Sequence, residues 1–141
     1  MLFSQDLIGK VSASQSFTVT PADVEAFMLA TGDPALQQVE RDADYVPLTF
    51  PTTFRMKIPG LEVDGAQMQL IHGEQEYRYA RRLHLGEQLT CTARILDIRE
   101  KTGRSGTMTI LTTEIAGTDS SGAAAFSGIS TLLIKPKKRE A

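Results

Sequence analysis

Two histidines and one cysteine narrow the places where this 141-residue chain can move protons or attack an electrophile near neutral pH. His72 stands in Leu70-Ile71-His72-Gly73-Glu74-Gln75-Glu76-Tyr77-Arg78-Tyr79, where alternation puts it on one strand face with Glu74. A carboxylate there can orient an imidazole as a general base; the same residue also reads as a structural histidine in a polar strand or a subunit contact. His84 falls in a turn and reads as solvated. Asp33, between Gly32 and Pro34, presents a carboxylate just beyond a helix, although Asp-Pro is also an ordinary way to start a turn. Cys91 belongs to an alternating apolar run and reads as core. No His, Cys and Asp cluster has metal-ligand spacing, so no metal and no cofactor is expected. Gly103-Arg104-Ser105-Gly106 reads as a hairpin turn rather than a phosphate loop.

The elements that position these residues follow from the pattern. Thr20-Pro21-Ala22-Asp23 is a helix start, with Thr20 as N-cap and Pro21 where its missing N–H costs nothing. The helix is expected to reach Thr31, with Val24, Phe27, Met28 and Thr31 on one face and Gly32 closing it. Residues 33–51 lack periodicity and read as a long ordered loop. A short second helix is expected from Pro51-Thr52-Thr53-Phe54 and is limited by Pro59-Gly60. From Gln67 the period becomes two. Ile71, Gly73, Gln75, Tyr77 and Tyr79 are expected on one strand face, and Leu70, His72, Glu74, Glu76 and Arg78 on the other. Strands are also expected at about 88–99, around 108–115 and over 123–134. Phase switches at 95/96 and 110/111 lie symmetrically about Gly103 and predict a hairpin pairing Leu96 with Ile110 and Ile98 with Met108. Apolar residues on both faces of these strands call for more cover than one or two short helices provide, so the chain is expected not to be monomeric.

The length is that of one domain, with its core over about 9–135 and a basic, solvated tail from 136 to 141. In that tail, Lys135-Pro136-Lys137-Lys138-Arg139 is an outside candidate for a nucleotide phosphate. A net charge of −2 gives no basic excess for a phosphate backbone, so nucleic acid is not an expected partner. No apolar run approaches the roughly 18 residues of a membrane span and no leader is visible, which places the chain in the cytoplasm as an expectation. A single cysteine agrees with a reducing compartment.

Three strings carry a family resemblance. Leu70 to Tyr79 resembles the "HGEQ…Y" strand of MaoC-like N-terminal (fatty-acid-synthase-type) dehydratase domains. Arg82-Leu83-His84-Leu85-Gly86-Glu87-Gln88-Leu89 is similar to their "RPL-x-x-GD-x-L" turn, and Lys101-Thr102-Gly103-Arg104-Ser105-Gly106-Thr107-Met108 to their "EK-x-GRSGTM" turn. The same group includes mycobacterial (3R)-hydroxyacyl-carrier-protein dehydratase subunits. The resemblance implies an α+β hot-dog fold, a curved antiparallel sheet wrapped around a helix. It also implies a protomer that binds an acyl-CoA or acyl-carrier-protein thioester, in a homodimer or a heterodimer with a second hot-dog subunit.

The chemistry it implies is reversible addition of water across a 2-enoyl thioester, which needs a base, an acid and donors for an enolate oxygen. Active relatives do the proton work with Asp and His from a G-D-x-N-P-x-H loop. The matching stretch here is Gly32-Asp33-Pro34-Ala35-Leu36-Gln37-Gln38, so Asp33 is kept but Ala35, Leu36 and Gln38 replace Asn, Pro and His. An amide has no accessible pKa, so Gln38 cannot act as that acid or base and is left as a substrate-binding candidate. The catalytic candidates are Asp33, His72 and Glu74. Thr52 and Thr53 are binding candidates for a thioester oxygen, Gly73 for close backbone approach, and Arg81 and Arg82 for coenzyme A phosphates. The expected role is a subunit lacking the complete Asp/His pair. The alternative is a self-sufficient (R)-specific hydratase, or a thioesterase using Glu62 or Asp64 to activate water.

Overall fold

A computed structural model describes residues 3–58 and 60–137. Its helix α1, Pro21–Thr31, begins and ends where the capping chemistry requires. The Thr20 hydroxyl accepts from the Asp23 amide at 3.1 Å, and Gly32 takes up a left-handed φ of 68°. Val24 and Met28 are buried, Phe27 is half-buried and Thr31 is exposed.

Five strands form one antiparallel sheet: β1, Gln15–Thr18; β2, Met68–Tyr79; β3, Gln88–Gly103; β4, Gly106–Thr118; and β5, Ala124–Pro136. Their order is β1-β3-β4-β5-β2, which leaves β2 on a sheet edge. The concave face carries two apolar clusters. At one end Val24 and Met28 of α1, with Phe50 and Phe54, pack on Leu89, Cys91 and Phe126. At the other, Phe3 and Ile58 cover Ala93, Ile95, Ile98, Leu111 and Ile134. Residues 9–12 run along the β3 edge through hydrogen bonds from Gly9 N–H to Ile95 O and from Ser12 N–H to Ala93 O.

The second helix is a correction. Phe50–Thr53 forms a single 3-10 turn, after which the chain continues to Ile58 without regular secondary structure; Pro59 lies outside the described residues. Phe54 and Ile58 still reach the core, because an irregular segment laid on the sheet can deliver spaced apolar side chains as a helix would.

The β3–β4 register is also corrected. Ile98 pairs with Leu111 and Arg99 with Ile110, while Gly103 pairs with Gly106 across Arg104 and Ser105. Of the two phase switches, the one at 95/96 is a β-bulge: the register shifts between Ile95 and Asp97, so Ile95 and Ile98 both face the core. The one at 110/111 has no bulge, because β4 is apolar on both faces, with Leu111 buried and Ile110 half-buried behind it. The two switches therefore have different causes and do not mirror one another about Gly103. Gly106, with φ 107°, takes the positive φ of the turn.

The β2 face assignment changes for a similar reason. The ladder to β5 shifts between His72 and Glu74, making Gly73 the extra residue. His72 pairs with Leu132, Gln75 with Ser130 and Tyr77 with Gly128, so His72 shares the concave face with Gln75 and Tyr77. Glu74, Glu76 and Arg78 lie on the convex face. The C-terminal strand runs through Pro136, longer than expected, and Lys135 donates to Ser105 Oγ at 2.8 Å. The basic residues Lys138 and Arg139 lie outside the described residues.

Candidate functional site

Asp33 is set by the end of α1: its amide donates to Met28 O at 2.9 Å, across Gly32. Each carboxylate oxygen then accepts one hydrogen bond. Oδ1 accepts from the Ala35 amide at 2.9 Å, opening the 3-10 turn Pro34–Gln37, and Oδ2 accepts from the Tyr45 hydroxyl at 3.0 Å. Burial, and then the Asp33 carboxylate, push the Tyr45 phenol above its ordinary range, which keeps it a donor. Gln38 follows the turn with its side chain in solvent, beside a Val39 that is 99% exposed.

A second clamp holds the same loop. Asp44 Oδ1 accepts from the Leu85 amide at 2.7 Å, and Oδ2 pairs with His84 Nδ1. The His84 bond and then the Leu85 amide hold the Asp44 carboxyl below its usual range. His84, read as solvated, is still half exposed but tied to a residue 40 positions away. Nothing in the spacing of a loop aspartate and a turn histidine reveals that contact. Arg82 is exposed and near Tyr45, where its charge offsets part of the rise that burial and Asp33 produce.

Arg81 is engaged within the protein. It makes a two-pronged ion pair with Glu87, at 2.7 and 3.0 Å, and a third contact with Asp119 at 3.1 Å. Burial alone would raise the Glu87 carboxyl, but Arg81 and the His84 amide outweigh it and bring it down. Asp119 falls to about 2, through Ser121 and then Arg81. The guanidinium joins the turn before β3 to the turn before β5, leaving little of its fork for a ligand phosphate.

His72 Nε2 is 3.1 Å from the carbonyl oxygen of Glu74, not its carboxylate. The Gly73 bulge puts the two side chains on opposite faces, so the Glu74 carboxylate does not orient the ring. Gly73 itself comes close to Thr131 and Leu133 of β5; a Cβ there would sit 3.4 Å from Thr131 O. Of the two alternative carboxylates, Asp64 Oδ1 accepts from the Ala66 amide at 2.9 Å, and Glu62 and Asp64 line a cavity of ≈ 650 Å³ with Lys57, Ile58 and Leu61.

The 3-10 turn Phe50–Thr53 lies over the concave face. The Thr52 amide donates to Thr49 O at 3.0 Å, so it is not available to a thioester, and the Thr53 hydroxyl donates to Phe50 O at 2.9 Å. The Thr52 hydroxyl meets the Tyr77 hydroxyl at 2.7 Å. Tyr79 donates to Leu48 O, fixing the approach to this turn. Burial pushes the phenols of both tyrosines up. The alternation of β2 signals Tyr77 only as strand core; its polar contact depends on a loop that carries no register. Beside the turn, Phe17, Phe27, Phe50 and Phe54 line an open cleft of ≈ 460 Å³ with Ala26 and Ala30 of α1.

Comparison with known proteins matches this arrangement to one family. The model of the FAS1-like dehydratase domain region matches residues 6–127. A UPF0336 protein from Thermobifida fusca is 29% identical over 132 residues, covering 84% of this chain and 86% of that protein. Among solved structures, the C-terminally truncated HadBC (3R-hydroxyacyl-ACP dehydratase) complex from Mycobacterium tuberculosis superposes with a TM-score of 0.69 at 20% identity, covering 91% of this chain and 97% of that one. A MaoC-like dehydratase from Rhodospirillum rubrum gives 0.61 at 17% identity, with 99% and 100% coverage. The curled five-stranded sheet around α1 is the fold these dehydratases share, and the chain belongs to the FAS1-like dehydratase domain family with a hot-dog fold.

Proposed function

We propose that this chain is an acyl-thioester-binding subunit of a MaoC-like dehydratase or hydratase that lacks the complete catalytic pair and works with a second hot-dog subunit. The observation that carries this reading is the state of Asp33. Its two oxygens are held by Ala35 and Tyr45, and Gln38 stands where the resemblance places the histidine. A base must have a lone pair directed at the substrate proton. Here each oxygen accepts a bond that shapes the loop, and among the described residues neither histidine is hydrogen-bonded to Asp33: His84 pairs with Asp44 and His72 with a backbone carbonyl.

The partner reading rests on β2. Among the described residues β2 pairs only with β5, leaving a row of N–H and C=O groups along the sheet edge, and Leu70 and Ile71 are 49% and 43% exposed there. A hot-dog partner, of like or unlike sequence, would extend the ladder and cover those side chains. The HadBC structure is itself a complex of dehydratase subunits, which supports a partner of that kind.

The test is hydration of a crotonyl thioester by the purified chain, with Gln38→His, Asp33→Ala, His72→Ala and His84→Ala alongside and their folding checked. Because a positioned acid or base contributes about 10² to 10⁴-fold, a chain without one member of the pair is expected to fall short by about 3 to 5 kcal/mol of transition-state stabilisation. Robust activity in the unmodified chain that disappears in a histidine variant overturns the proposal.

A further inference from the structure

We propose that Gln75 and Tyr77, side by side on the concave face of β2, form a hydrogen-bonding seat for the carbonyl oxygen of a bound thioester; this deepens the acyl-thioester reading above and rests on it. Two hydrogen bonds prepare the seat. The Ser130 hydroxyl donates to Gln75 Oε1 at 2.5 Å, which fixes the amide so that Nε2, the end with two N–H donors, points away from that bond. Among the described residues Nε2 has no hydrogen-bond partner. Thr52 Oγ1 lies 2.7 Å from the Tyr77 hydroxyl, and when the threonine donates, the phenol proton is left for a ligand.

Gly128 brings the two groups together. A Cβ at that position would lie 2.8 Å from Tyr77 Cε1 and 3.3 Å from Gln75 Nε2, so the ring and the amide both rest where a side chain on β5 would otherwise stand. A tyrosine phenol is protonated at neutral pH in any case, and burial moves Tyr77 further in that direction. The result is a pair of oriented donors beside the turn that carries Thr52, at the sheet edge where a partner would close the site. Donors without a base suit a subunit that positions a carbonyl rather than one that moves its protons.

The experiment compares octanoyl-CoA with octyl-CoA, a thioether that keeps the pantetheine amides but lacks the thioester carbonyl. Affinities of both probes for the full chain are measured by calorimetry, for the parent, Tyr77→Phe, Gln75→Glu and Gly128→Ala. The parent is expected to prefer the thioester by about three- to tenfold, the contribution of ordinary hydrogen bonds. That preference is expected to fall toward one in Tyr77→Phe and Gln75→Glu, with melting temperatures close to the parent's. Gly128→Ala, which displaces both groups while leaving their chemistry intact, is expected to lose it as well. If the two residues only support the fold, both probes weaken together and the ratio stays, which overturns the seat but not the acyl-thioester reading. A parent that binds both probes equally has the same consequence. A parent that binds neither overturns the acyl-thioester reading, and the seat with it.

Discussion

Replacing Asp33 tests whether that carboxylate serves the fold or the reaction. In the structure it caps a 3-10 turn through Oδ1 and accepts the Tyr45 hydroxyl through Oδ2. Loss of an N-cap costs about 0.5 to 2 kcal/mol, and the turn is only four residues long, so about 0.5 to 1 kcal/mol applies. Loss of a side-chain hydrogen bond in a half-buried place costs about 1 kcal/mol more. Asp33→Ala is therefore expected to lower stability by about 1.5 to 2 kcal/mol, or roughly 4 to 8 °C in a domain of this size. Tyr45→Phe removes only the second contact and is expected to cost about 1 kcal/mol. Urea unfolding of the parent, both single variants and the double variant gives the coupling between them, expected at about 0.5 to 1.5 kcal/mol. Strict additivity, within about 0.3 kcal/mol, would show that the pair does not act as a unit. A fully stable Asp33→Ala protein that loses measurable hydration by a hundredfold would refute the structural assignment and return Asp33 to the catalytic role.

Other expectations follow from neighbouring contacts. A Cβ on Gly117 would stand 2.8 Å from Cδ1 of the buried Phe126 and closer still to Cε1, so Gly117→Ala is expected to cost about 1 to 3 kcal/mol. Phe126→Leu in that background should recover part of the loss, and equal unfolding midpoints for parent and Gly117→Ala would contradict the packing. Glu87 and Asp119 have carboxyls below their ordinary range in the folded protein, so the unfolded chain binds more protons in acid. Their contribution is present above about pH 4.5 and is lost as pH falls toward about 2, the Asp119 value. Arg81→Gln should flatten this acid dependence of the urea midpoint; an unchanged slope would rule out the network as its source. Burial pushes the Cys91 thiol up to about 11, and its residue has no exposed surface. A thiol reagent at pH 8 should label it only on unfolding, and fast labelling of the native protein would place it wrongly.

Local chemistry made much of this protein legible from its residues. Thr20, Pro21 and Gly32 mark the limits of α1 because capping involves only groups within one turn. The strand periods and the burial of Cys91 depend on alternation, which a single strand expresses by itself. The three family strings also lie within single strands or turns. Register could not be read in the same way. An extra residue at 96 or at Gly73 changes which side chains face the core, and a bulge is decided by the partner strand. That is why alternation by itself matches Ile98 to Met108 and puts His72 beside Glu74, whereas in the structure Ile98 pairs with Leu111 and His72 shares a face with Gln75 and Tyr77.

The composition of the candidate site divides along the same line. Its departures from the family loop, Ala35, Leu36 and Gln38, are visible as letters because they replace specific chemistry at specific spacings. What the remaining groups do is set by contacts between segments far apart in the chain. Tyr45 reaches Asp33, Asp44 reaches His84, Thr52 reaches Tyr77 and Arg81 reaches Asp119. The first three of those hydrogen bonds use the loop without periodicity, whose placement comes with the burial of Phe50, Phe54 and Ile58 on the concave face, and the fourth joins two turns that the sheet brings together. The sequence alone determined which functional groups were present, because that is a matter of residue identity; the tertiary structure decided which of them were bonded to one another, because hydrogen bonds depend on distances the linear order does not contain.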